Sequence, residues 1–106
     1  MVSSFESREG CSVVDIDGPL RAPLDSSLRD RVAALLLRGE RRIRLDVAGL
    51  TDIDAAGVGE LVHMLNMTTS VGGVLQVVHA SRRVGELLHA AGLSRVLATN
   101  GTPWPS

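Results

Sequence analysis

Strand-like and helix-like patterns alternate along the chain, and this alternation constrains the fold more than any other feature. Residues 11–17 form an apolar run typical of a strand that ends at the Gly18-Pro19 pair. Residues 42–47 alternate apolar and polar side chains, and residues 74–79 form a short apolar strand. Helix-like spacing lies between these strands, and a helical crossover normally joins parallel strands. The sequence therefore predicts an α/β domain with parallel neighbouring strands.

The first two predicted helices follow the first two strands. The first has Pro23 in its first turn and ends at Gly39. Its apolar residues recur at the spacing of one helical face: Leu24, Leu28, Val32, Leu35 and Leu36. The second helix covers residues 56–70 and is closed by the Gly72-Gly73 pair. Both helices therefore have a face suited to packing on a sheet.

A third helix and a loosely held tail complete the pattern. Ser81 is placed to cap this helix, which extends to about residue 91 before Gly92. Residues 95–98 are compatible with a last short strand, and the turn-rich residues 99–106 suggest a loose tail. We expect a single domain over residues 1–106, with its core at about 11–98 and both ends loosely held.

Composition removes several classes of function. The net charge is -1, and all eleven basic residues are arginines, which excludes the essential lysine of a P-loop, of a Schiff base or of a receiver domain. Phe5 and Trp104 are the only aromatic residues, so stacking platforms for nucleic acid are not expected. Cys11 is the only cysteine, and no apolar run could cross a bilayer, so a cytoplasmic protein without direct membrane insertion is expected.

No catalytic, metal or cofactor motif emerges. His63, His79 and His89 lie far apart in sequence and have no paired ligand spacing. The Gly57-Val-Gly59 spacing does not continue into a dinucleotide-binding fingerprint because position 62 is valine. We therefore expect no enzyme activity, no metal and no cofactor.

The segment Asp54-Ala55-Ala56-Gly57 lies where a strand turns into a helix. Asp54 is suited to cap that helix, and small residues allow close approach to the sheet. The turn by itself fits either a simple helix cap or a site that has lost a polar group.

The second helix carries an unexpected apolar stripe. Its sheet-facing stripe is predicted to contain Val58, Leu61, Val62, Leu65 and Thr69. Opposite it we expect Glu60, Met64, Met67 and Val71, and methionine is common at adaptable binding surfaces. These four residues are therefore a candidate partner-binding surface, although scattered apolar surface residues would give the same pattern.

Several spaced motifs run along the chain: Ile43-Arg-Leu-Asp46, Leu50-Thr-Asp-Ile-Asp54, Gly57-Val-Gly-Glu-Leu61, Gly72-Gly73-Val-Leu-Gln-Val-Val78, Arg83-Val-Gly-Glu-Leu-Leu88 and Ala91-Gly-Leu93. Together they resemble the STAS domain family, the anti-sigma-factor antagonists of bacteria. The resemblance implies a small mixed β-sheet of four to five strands, with three or four helices packed mainly on one face. It also implies a non-enzymatic domain that binds an anti-sigma factor or related serine kinase.

In that family, phosphorylation of an Asp-Ser-Ser-Gly or Asp-Ser-x-Gly turn controls binding. The resemblance places the aspartate at Asp54, the glycine at Gly57, and the serine positions at Ala55 and Ala56. Alanine has no hydroxyl to accept phosphate, so the usual switch is absent. Thr51 is the nearest preceding hydroxyl.

Three alternatives stay open. The domain is either an antagonist-like regulator, an accessory subunit of a membrane transport complex or signalling assembly, or, with less support, a nucleotide-binding domain that uses the helix N-terminus after Asp54. Self-association is compatible with each. The sequence does not distinguish natural loss of serine at Ala55 and Ala56 from deliberate replacement.

Overall fold

The computed structural model describes residues 2–8, 11–24 and 26–96. In chain order these residues form β1 (Val2–Arg8), β2 (Cys11–Leu20), α1 (Ser27–Leu37), β3 (Arg42–Ile53), α2 (Ala55–Ser70), β4 (Val74–Val78), α3 (Arg82–Ala90) and a short 3-10 helix (Ser94–Val96). The predicted alternation of strands with three helices is confirmed. Residues 95 and 96, predicted to begin a last strand, lie instead in the 3-10 helix, and the rest of that strand and the predicted tail fall outside the described residues.

The described strands form one sheet with the order β1-β2-β3-β4. β1 pairs antiparallel with β2, whereas β2 with β3 and β3 with β4 are parallel. Each parallel pair is joined by a helix, as the sequence predicts. β1 was not predicted, because its sequence VSSFESR lacks regular apolar and polar alternation and the N-terminal end was expected to be loosely held.

β2 and β3 both extend further than predicted. β2 continues through the Gly18-Pro19 pair to Leu20, and its pairing with β3 shifts register at that pair. A register irregularity accommodates proline, which cannot donate a ladder hydrogen bond. The extension aligns Leu20 with Ile53, directly before α2. The parallel pairing therefore places the carboxyl end of β2 beside the start of α2.

α1 starts later than predicted. Pro23 and the exposed Leu24 precede it, and Ser26 stands at its N-cap. The preceding segment makes long-range contacts instead, because Ala22 N–H donates to the Asp54 carboxylate and Arg21 pairs with Asp52. These contacts hold residues 21 and 22 at the carboxyl end of β3, ahead of α1.

The core lies between one face of the sheet and the helices. Apolar side chains from all three parallel strands and all three helices are buried together: Val14, Ile16, Ile43, Leu45, Val47, Leu75 and Val77 with Leu28, Val32, Leu35, Leu61, Met64, Leu65, Val84 and Leu88. The predicted inward side of β3 is confirmed by the burial of Ile43, Leu45 and Val47. None of the helices within the described ranges has the length and apolar character that spanning a membrane requires.

Candidate functional site

A single carboxylate organises the turn between β3 and α2. Asp54 has an extended backbone and is the N-cap of α2. Its Oδ1 accepts a hydrogen bond of 2.9 Å from Gly57 N–H, and its Oδ2 accepts one of 3.1 Å from Ala22 N–H. These donors, Gly57 first, stabilise the ionised carboxylate and lower the pKa of Asp54 from its ordinary value. The predicted capping role of Asp54 is thus confirmed, and the same side chain also ties α2 to the segment after β2.

Gly57 allows α2 to begin very close to β2. A Cβ at this position would stand 2.0 Å from Leu20 O and 2.8 Å from Ile53 Cγ1. Any side chain would therefore require the first turn of α2 to move away from the sheet. Gly57 and Asp54 together fix where the turn sits.

An ion-pair cluster lies beside the turn. Asp52 Oδ2 is 2.9 Å from Arg21 Nη1, and Asp52 Oδ1 is 3.3 Å from Arg83 Nη2. One carboxylate thus links the segment after β2, the end of β3 and the start of α3. No local sequence pattern predicts this cluster, because its members are far apart along the chain.

The two alanines are presented differently. Ala55 is exposed, Ala56 is half-buried, and Gly57 is buried. No residue from 54 to 57 carries a hydroxyl. Thr51, within β3, is exposed. The backbone of the turn is well supported, but its side chains offer no phosphate acceptor.

The predicted partner-binding stripe on α2 is wrong at its first two members, Glu60 and Met64. Met64 is 0% exposed and belongs to the core, and Glu60 is buried, with its carboxylate 3.5 Å from Arg29 Nε on α1. Met67 is half-buried, and Val71 is 45% exposed just after α2. Met64 and Glu60 therefore contribute no accessible surface.

The error has a physical cause. The buried stripe of α2 comprises Gly57, Glu60, Leu61, Met64, Leu65 and Thr68, a set turned by about one residue from the predicted one. The buried stripe is hard to recognise in the sequence because it includes the polar residues Glu60 and Thr68. Both have partners in the fold: Glu60 pairs with Arg29, and the Thr68 hydroxyl donates to Met64 O at 2.8 Å. Thr69, expected to face the sheet, is exposed.

The accessible face of α2 carries no Asp, Glu, Lys or Arg side chain. The exposed residues of α2 are Ala55, Gly59, His63, Asn66, Thr69 and Ser70, and half-buried Val58 and Val62 lie beside the first of them. Their spacing follows one side of a helix. The small residues near the start of α2 indicate this exposed face in the sequence. The methionines instead favoured the face that the structure shows to be largely buried.

Gly59 differs sharply from Gly57. A Cβ at Gly59 would meet no atom within 4 Å, so packing inside the domain does not require glycine there. Glycine inside a helix is nevertheless destabilising by roughly 0.5–1 kcal/mol relative to alanine. Ala55 and Gly59 therefore leave a smooth, low surface at the start of α2.

The remaining candidate chemistry does not converge. His79 Nδ1 lies 3.0 Å from Asp46 Oδ2, while His63 and His89 lie on separate helices. Within the ranges that the structure describes, His, Cys, Asp and Glu side chains form no group of three or more able to hold a metal ion. At the start of α2, Asp54 already accepts from Gly57 N–H, which counts against a bound nucleotide phosphate there.

The fold and the turn define a class of small α/β domain in which a sheet of mainly parallel strands presents a capped strand-to-helix turn. A family model described as "Mlab, STAS domain" matches residues 3–99. The chain therefore belongs to the STAS domain family, as its motifs indicate. No curated protein sequence is significantly similar to the chain.

Solved structures with the same fold include anti-sigma-factor antagonists. One from Mycobacterium paratuberculosis is 18% identical, with a TM-score of 0.79 over 95% of this chain and 86% of that one. The phosphorylated form of SpoIIAA, a Bacillus cell fate determinant, is 17% identical, with a TM-score of 0.74 over 92% and 90%. A sulfate transporter family protein from Wolinella succinogenes is 22% identical, with a TM-score of 0.65 over 86% and 74%. At these identities the similarity shows the shared fold.

Proposed function

We propose that this protein is a non-enzymatic regulatory domain of the cytoplasm that binds an anti-sigma factor or related serine kinase. The binding site is the start of α2, and phosphorylation at the usual turn does not control it. Support comes from membership of the STAS family and from structural similarity to anti-sigma-factor antagonists. STAS domains of the antagonist type are generally non-enzymatic.

The observation that carries the proposal is the open surface around Gly59. Ala55 and Gly59 expose little more than backbone, while Val58 and Val62 offer half-buried apolar surface next to them. Small residues let a partner backbone approach closely, and adjacent apolar side chains give it area to bury. Packing within the domain does not require glycine at position 59. A partner backbone that contacts this surface closely would require it.

The same turn explains the proposed constant binding state. Ala55 and Ala56 stand at the family's serine positions, and Asp54 and Gly57 keep the backbone in place. A phosphate would add a charge of about −1.5 to −2 beside the ionised Asp54, next to a helix face that carries no Asp, Glu, Lys or Arg. Because residues 54–57 carry no hydroxyl, a kinase partner has no group there to phosphorylate. The partner would therefore stay bound in the presence of ATP.

The test compares two glycines whose side-chain positions are equally open. Gly59→Arg would place a long charged side chain on the proposed surface, whereas Gly85→Arg would do so on α3, where a Cβ also meets nothing within 4 Å. We expect Gly59→Arg to weaken binding to an anti-sigma factor kinase by about tenfold or more in calorimetry, and Gly85→Arg to leave it unchanged. Equal affinities for the two variants would contradict the proposed surface.

A second candidate function is that of an accessory subunit in a membrane transport complex. The structural similarity to a sulfate transporter family protein favours this candidate. Copurification of the full chain from its native cells separates the two. An anti-sigma factor or serine kinase would support the first candidate, whereas a membrane transport ATPase would support the second.

A further inference from the structure

A second groove lies at the opposite end of α2 from the turn. It opens between the last turns of α1 and α2 and has a volume of about 530 Å³. Its lining comprises mainly Ala33, Leu36, Leu37, Met67, Val71 and Arg41. Met67 and Val71 follow Gly57 by 10 and 14 residues, so this groove and the turn are roughly 15–21 Å apart along the helix axis. The groove is therefore separate from the proposed site at the start of α2.

The groove exposes unusually bare apolar side chains. Leu37 is 89% exposed and Val71 is 45% exposed, although both are large hydrophobic residues. Leu37 on α1 and Val71 after α2 line one depression together with half-buried Leu36 and Met67. Two exposed hydrophobes that share a concave site are more informative than scattered surface residues, because together they provide continuous apolar area that a partner can bury.

The rim of this groove is basic. After the last turn of α1, Arg38 and Arg41 are exposed and Glu40 is half-buried, and Arg41 is the member of this group that lines the groove. Arg41 is fixed at the margin because its Nη1 donates to Leu36 O at 3.0 Å and to Glu40 O at 2.9 Å. From residue 61 to residue 71, α2 and its C-cap contribute no Asp, Glu, Lys or Arg. The surroundings of the apolar floor thus carry a net positive charge.

We propose that this groove docks an acidic amphipathic helix of a partner protein. Leucine-like side chains on one face of that helix enter between Leu37 and Val71, and carboxylates flanking them meet Arg38 and Arg41. A groove between two helix ends suits a helix, which presents apolar anchors at every third and fourth residue. The positive rim selects acidic sequences and rejects basic ones. Together with the turn, the groove gives this domain two separate docking sites.

Fluorescence anisotropy with a designed peptide tests the proposal. The probe is a labelled helical peptide with leucines at heptad-like spacing and flanking glutamates, titrated with the full chain. A twin with every glutamate replaced by glutamine measures the electrostatic part. We expect the acidic peptide to bind, with an affinity that falls as salt is added, and the neutral twin to bind several-fold more weakly.

Matched variants locate the site. Leu37→Ser should weaken binding by about tenfold, whereas Leu24→Ser, at another exposed leucine before α1, should not. Arg38→Gln should weaken binding by about two- to fivefold, and Arg82→Gln on α3 should leave it unchanged. Gly59→Arg should also leave it unchanged, since that residue belongs to the other site. Circular dichroism and a thermal melt establish that each variant is folded.

Four results would overturn the proposal. They are equal binding of the acidic peptide and its neutral twin, loss of peptide binding in Gly59→Arg, unchanged binding in folded Leu37→Ser, and no binding by the wild-type chain. A fifth would reassign the groove: if the wild-type chain self-associates in analytical ultracentrifugation and Leu37→Ser is monomeric, a second copy of this chain is the occupant.

Discussion

Replacing Gly57 by alanine should destabilise the protein even though alanine is the better helix former. The new Cβ would stand 2.0 Å from Leu20 O and 2.8 Å from Ile53 Cγ1, whereas unstrained contacts are about 3.5–4.0 Å. The first turn of α2 must then retreat by on the order of 1 Å, which also lengthens the hydrogen bond between Asp54 and Ala22 N–H.

The magnitude follows from two opposing effects. Overpacking typically costs about 1–3 kcal/mol, and the upper end applies here because the nearest obstacle is a backbone carbonyl rather than a flexible side chain. Helix propensity offsets about 1 kcal/mol of this cost. We therefore expect Gly57→Ala to lower the free energy of unfolding by about 2 kcal/mol.

Gly59→Ala is the matched control within the same helix. Its Cβ enters open space, so the substitution should raise the free energy of unfolding by about 0.5–1 kcal/mol. Urea unfolding followed by circular dichroism measures both variants, and a change of 1 kcal/mol corresponds to a Tm shift of roughly 4–8 °C in a domain of this size. If Gly57→Ala were as stable as Gly59→Ala, the close approach of α2 to Leu20 would be refuted.

Further predictions concern the caps and the core. The pKa of Asp54 is lowered in the folded protein, so its stabilising contribution is present above the unfolded pKa and is lost as pH falls through the folded value. Asp54→Asn keeps a capping oxygen but loses the charge, so it should be less stable than wild type at pH 7. In urea titrations the difference in the free energy of unfolding should shrink below about pH 4. Ser81→Ala should cost about 1 kcal/mol because Ser81 Oγ accepts from Val84 N–H. Ser26→Ala should cost less in the same assay, because the Ser26 hydroxyl caps no backbone N–H and donates only to the exposed Asp30 carboxylate. Met64→Ala should lower the free energy of unfolding by about 2–5 kcal/mol because that side chain is fully buried. A negligible loss in urea unfolding would contradict the burial of Met64 in the core.

The sequence predicts the helices and parallel crossovers well because their signals are local. Asp54 and Ser81 cap helices through their own side chains, and the alternation in β3 directly separates its buried residues from its wetter ones. Caps and periodicity are properties of a few neighbouring residues. They are therefore readable without knowledge of the tertiary structure.

The site is less predictable because its contacts join distant segments. The Asp52 pairs with Arg21 and Arg83, and the bond between Asp54 and Ala22, appear only once the strands are aligned. The orientation of α2 depends likewise on α1, which pairs with Glu60 through Arg29, and on the shared core in which Met64 is fully buried. A sequence pattern identifies an amphipathic helix, but the second helix packed against it decides which of its edges remains open.

The most direct test of the central claim is partner binding in the presence of ATP. The full chain is incubated with an anti-sigma factor kinase and ATP, and bound complex and intact mass are followed together, beside the variants Ala55→Ser and Ala56→Ser. The account predicts that the wild-type chain stays bound and unmodified, while at least one serine variant gains a phosphate and is released. Stoichiometric phosphorylation of the wild-type chain within residues 51–57, or its ATP-dependent release, would contradict the account.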